Sequence, residues 1–143
     1  RDYKVDGPTR LNYSILPHRG NWNDGMVEWN SSCWNEPLVA RFIADDQDPS
    51  ELSLFETGDR HLQVVSAIIQ GDDLLVRLYN GSSKENPGMI SWKGKARQVE
   101  QVELDGRLFK KVSTGSGKNG EFVTATPLPP FGLGTIRLTG FSQ

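Results

Sequence analysis

An all-β fold is predicted for this chain, an antiparallel β-sandwich with one short helix near residues 24–34. Three observations point there: short β-branched, apolar runs recur, clusters of Gly, Pro and Asp separate them, and two pairs of runs flank tight turns. Leu11 to Leu16 reads as the first strand, ended by Pro17, which cannot donate to a ladder. Asn23-Asp24 then offers a helix cap, with Met26, Trp29 and Cys33 at spacings of three and four and Asn35 and Pro37 as stop signals. Leu38 to Ile43 is a second run, followed by the polar loop Asp45-Asp46-Gln47-Asp48-Pro49, and Leu52 to Glu56 is a third.

The strongest local signal is the pair Leu62 to Ile69 and Leu74 to Tyr79 around Gln70-Gly71-Asp72-Asp73, a hairpin pattern. Met89 to Trp92 follows. A second hairpin is expected from Gln98 to Leu104 and Arg107 to Val112 about Asp105-Gly106. Thr114 to Gly120 reads as a flexible loop. Phe122 to Thr126 and Thr135 to Thr139 complete the strands, parted by Pro127-Leu128-Pro129-Pro130.

A length of 143 residues fits one domain, 1–143, large enough to bury a core without a metal or disulfide. The net charge of −2 supplies no excess of cations to neutralise phosphates, which argues against nucleic acid and anionic membrane as partners. No apolar run approaches the roughly 20 residues of a membrane-spanning helix. Cys33 is the only cysteine, so no internal disulfide forms, and the thiol leans the reading towards a reducing, cytoplasmic compartment. Three sequons, at Asn12, Asn30 and Asn80, lean weakly the other way. The start at Arg1, with neither Met nor a leader pattern, reads as a cut from a longer chain.

Candidate chemistry is sparse. His18 and His61 stand without a sequence partner, and neither GxSxG nor HExxH occurs. His61 opens a strand and reads as structural. His18, after Pro17 and before Arg19-Gly20, reads as a turn residue with a place at a ligand or domain boundary as its functional option. Asp45, Asp46 and Asp48 lack the spacing of a calcium loop and read as solvated turn carboxylates. Lys93 to Arg97 is a short basic stretch offset by Glu100 and Glu103. Trp22, Trp29 and Trp34 fall close together, as buried or interface groups or as a platform for stacking sugar rings. No catalytic residue or metal ligand is assigned. His18, Arg19, Trp22 and Trp29 are the candidates for substrate contact or a domain interface.

A resemblance extends this reading. Leu11-Asn12-Tyr13-Ser14-Ile15-Leu16-Pro17-His18, with Gly20 and Trp22, resembles the Tyr-x-Leu-x-Pro-His-x-Gly-x-Trp stretch of family 38 glycoside hydrolases, the α-mannosidases. Asn35-Glu36-Pro37-Leu38 is similar to the Asn-x-Pro-Leu element of that family. Val65-Ser66-Ala67-Ile68 with Leu75 to Asn80 resembles its paired strands, and Leu128 to Leu138 its closing Pro-Phe-x-x-x-Thr-x-x-Leu. The blocks occur in family order. Upstream of Tyr13 only Gly7 of the usual pattern is kept, and Ile69-Gln70 stands where a Lys is common.

The resemblance implies a C-terminal β region whose parent enzyme is a retaining glycosidase. Its Asp nucleophile, acid/base carboxyl and sugar-gripping zinc would lie in a catalytic domain outside these residues. This piece would be inactive alone, would carry no cofactor, and would support that domain through an exposed apolar patch including Trp22 or Trp29. Expected partners are the catalytic domain and, through it, carbohydrate; self-association stays open. The alternative is a free-standing carbohydrate-binding sandwich with no catalysis nearby.

Overall fold

The computed structural model describes residues 7–8, 10–36, 53–117 and 121–142. The expected Leu38 to Ile43 strand, the Asp45 to Pro49 loop and the Pro37-Leu38 pair lie outside the described residues. Among them the chain is an all-β sandwich with one short helix, as the strand and turn chemistry predicts.

Helix α1 spans Val27–Asn35, and nine strands follow among the described residues: β1 Phe55–Thr57, β2 Leu62–Gln70, β3 Asp73–Asn80, β4 Met89–Trp92, β5 Gln98–Val102, β6 Leu108–Lys111, β7 Thr114–Ser116, β8 Phe122–Ala125 and β9 Leu133–Thr139. One sheet has the order β1-β4-β8-β7, the other β2-β3-β9-β5-β6, and all named pairings are antiparallel. Both expected hairpins form. β2 and β3 close at Gln70↔Asp73 around Gly71-Asp72. Gly71 has φ 62°, the left-handed first position that a II′ hairpin turn needs.

Strand alternation decides the core. Leu74, Val76, Leu78 and Asn80 of β3 point inward, and register places Ile136 opposite Val76 and Leu138 opposite Leu74. These side chains meet Ile90 and Trp92 from the other sheet in one cluster with Leu62, Val99 and Leu128. Trp92 stacks on Phe122, centroids 6.0 Å apart. Each fully buried aliphatic side chain contributes about 1.5–3 kcal/mol through removal from water. On the outer face of the five-stranded sheet, Arg137 Nε and Nη2 both donate to Glu100 Oε2, at 2.9 and 2.5 Å.

Three local expectations are corrected. Thr114 to Gly120 was expected as a loop, yet Thr114–Ser116 pairs with β8, because the free edge of Phe122–Ala125 offers hydrogen bonds to any extended neighbour. Leu11 to Leu16, expected as a strand, belongs to no ladder; a strand pattern without an adjacent edge yields no sheet. The helix cap expected at Asn23-Asp24 does not form: the N-cap position is Met26, with no side-chain cap hydrogen bond. Asn21 instead closes a turn ahead of the helix: its Oδ1 accepts from the backbone N–H of Asn23 and Asp24, while Asp24 Oδ2 accepts from Asn21 N–H. Met26, at φ 51°, then breaks the turn, and regular helix starts at Val27.

One end of the sandwich is organised by Asn80, which is fully buried. Its Nδ2 donates to the carbonyls of Lys84 at 2.8 Å and Pro129 at 2.9 Å, and its Oδ1 accepts from Ser82 N–H at 3.0 Å. The loops after β3 and before β9 are thereby held together, and the N-terminal region rests on them.

Candidate functional site

The sequence candidates all fall between residues 10 and 36, an arm that ends in α1. Three ties hold it to the sandwich. Trp22 packs on Phe131 with ring centroids 5.6 Å apart, tilted by 33°. Ser83 N–H donates to Asn23 Oδ1 at 3.4 Å. Glu28 and Ser32, one helical turn apart, both bond to the Gln63 amide on β2: Gln63 Nε2 donates to Glu28, and Ser32 Oγ donates to Gln63 Oε1 at 3.3 Å.

Glu28 has a perturbed acidity. Burial raises its pKa above the usual 4.5, while the field of His61 and the Gln63 hydrogen bond pull it partly back. Its carboxyl lies so close to Gly81 that a Cβ there would stand 2.4 Å from it, so a larger residue at 81 would displace the Glu28 side chain. Glu28 Oε2 is shielded from solvent without a hydrogen-bond partner. Neither Glu28 nor Gln63 stands out in the sequence, because residues 35 positions apart meet only once β2 is in its sheet.

His18 is exposed, and its ring lies over Gly25, where a Cβ would stand 2.5 Å from Cγ. Its Nδ1 is 3.4 Å from the carbonyl of Arg19, a local turn contact. Arg19 is exposed, with no ion pair to a described residue. Trp22 and Trp29 do not form a joint platform: Trp22 goes to Phe131, and Trp29 lines an open groove of about 310 Å³ with Cys33, Glu36, Phe55, Leu62 and Val64. The structure therefore separates the four candidates into a turn, a loop contact and a groove wall.

The most exposed apolar surface is further upstream. Leu11, Tyr13 and Ile15 alternate along the extended arm and are 82%, 86% and 84% exposed. Leu11, Asn12 and Tyr13 line a second open groove, about 510 Å³, with Trp34 at the end of α1. Trp34 is one of the three clustered tryptophans; that it shares a groove with Tyr13, far from it in sequence, is encoded by no local pattern.

Among the described residues no three His, Cys, Asp or Glu side chains gather as a metal site. No helix there is long and apolar enough to cross a membrane. The arrangement offers exposed apolar and aromatic surface in open grooves. No protein-family model matches the chain, and no curated protein matches it.

Proposed function

We propose that this chain is a non-catalytic supporting sandwich of a larger glycoside hydrolase resembling the family 38 α-mannosidases. It packs against a zinc-dependent retaining catalytic domain and helps wall the mannoside site. The resemblance of the ordered motifs suggests the family. The observation that carries the supporting role is the arm: Leu11, Tyr13 and Ile15 stand at alternate positions and no described residue buries them. A lone exposed Leu is ordinary, whereas three exposed apolar side chains in one short segment near exposed Trp34 have the makings of a docking surface. The resembling motif starts on this same arm, at Leu11 to His18.

The purified chain should hydrolyse no aryl α-mannoside, with or without added zinc, and turnover by the chain alone would overturn the reading. A reading frame upstream of Arg1 that encodes a His-x-Asp zinc motif is the positive counterpart. A second reading, a free-standing carbohydrate-binding sandwich, draws on the Tyr13–Trp34 groove, since two exposed aromatics can stack on the apolar faces of sugar rings. Saturable quenching of Trp fluorescence by mannosides would favour it.

A further inference from the structure

Among the described residues the two sheets end in four edge strands, and three are guarded. β1 has three residues and carries Glu56; β7 also has three and includes Gly115; β6 carries Lys110 and Lys111. Shortness and charge are the usual means by which an edge avoids pairing with another chain. β2 has neither. It is nine residues long, Leu-Gln-Val-Val-Ser-Ala-Ile-Ile-Gln, with no charged residue and no proline. Ile68 and Ile69 on it are 54% and 79% exposed. The register shift between Val64 and Ser66 bends the strand there and leaves Ser66 to Gln70 as an uninterrupted run.

We propose that β2 is a self-association edge: two copies of this chain pair antiparallel through Ser66 to Gln70 about a two-fold axis, joining their five-stranded sheets into one. A second copy is the occupant that this edge suits best. A two-fold antiparallel pair sets a strand against itself, so any charge near the midpoint would face its own copy and repel. None is present. Ile68 is the midpoint of the run and would oppose its counterpart, Ala67 would oppose Ile69, and Ser66 would oppose Gln70. Because Ile68 is registered with Leu75 of β3, the pairing would extend an apolar row from Leu75 and Ile68 of one copy to those of the other. A charged partner strand would find no opposite charge here. This inference rests on β2 alone and does not depend on the proposed function.

Sedimentation velocity of the full chain over a concentration series reaching millimolar tests it. Wild type should show a reversible monomer–dimer equilibrium, weak because a single strand pair is a small interface. Ile68→Lys should raise the dissociation constant by at least about tenfold, since it sets like charges opposite each other. The exposed position lets the lysine reach solvent, and an unchanged far-UV circular dichroism spectrum verifies the fold. Ile15→Lys, on the arm, should leave association as in wild type. Hydrogen exchange should show β2 amides slowing as concentration rises and β6 amides unchanged. A monomer throughout the series overturns the proposal. So does an Ile68→Lys chain that associates normally, or association lost in Ile15→Lys instead.

Discussion

The arm at residues 10–16 and strand β3 carry the same kind of alternation and meet opposite fates. In β3, Leu74, Val76 and Leu78 are buried between two hydrogen-bonded neighbours. In the arm, Leu11, Tyr13 and Ile15 face solvent and no residue belongs to a ladder. Alternation makes a segment fit to be a strand; an adjacent edge makes it one. The difference locates where this chain has apolar surface to spare, and it can be probed directly.

Truncation of the core should have the largest effect. Leu78→Ala is expected to cost about 2–5 kcal/mol through lost transfer energy and a residual cavity. Ile15→Ala should stay within about 0.5 kcal/mol, because its side chain is already in water. Urea unfolding of both variants measures the contrast, and similar losses would mean that the arm is packed in solution. Asn80→Ala comes next, at roughly 2–3 kcal/mol, because the Pro129 carbonyl and the Ser82 N–H lose their partner in a buried setting. A near-neutral result would show that the two loops hold each other without it.

The smallest effect expected concerns the tie between arm and sandwich. Glu28 has a raised pKa in the folded chain, so the folded state holds the proton more tightly than the unfolded one. Its favourable contribution is therefore present at low pH and is lost as pH rises from the ordinary value of 4.5 through the raised one. Glu28→Gln removes that dependence. Unfolding free energies of both proteins should converge in acid and separate above that window in favour of Gln, by roughly a few tenths of a kcal/mol because the carboxyl is only partly buried. A difference that stays constant with pH would remove burial as the cause of the shift.

Much of the sandwich was legible. The β2–β3 hairpin, Met89–Trp92 and the β5–β6 hairpin follow from β-branched runs around Gly-containing turns, a signal contained within a few residues. β7 was not, since Thr-Gly-Ser has little preference of its own and is set by β8. The absence of a side-chain cap is not legible either: Asn23-Asp24 satisfies the composition rule, but the turn closed by Asn21 ends before the helix and leaves Met26 at the N-cap. The site was less legible than the fold. The tryptophans cluster in sequence, but their division among Phe131, the Trp29 groove and the Tyr13 groove depends on where the arm meets segments distant in sequence. Glu28 and Gln63 carried no local signal at all.

The burial of Asn80 has a kinetic consequence. Asn80-Gly81-Ser82 matches the acceptor sequence for N-linked glycans, yet in the folded chain its amide nitrogen is committed to the Lys84 and Pro129 carbonyls. A glycan could be attached there only while the chain is still open, and it would then prevent the loops from closing. In any glycosylating compartment, closure of this end of the sandwich and sugar transfer would race for the same nitrogen.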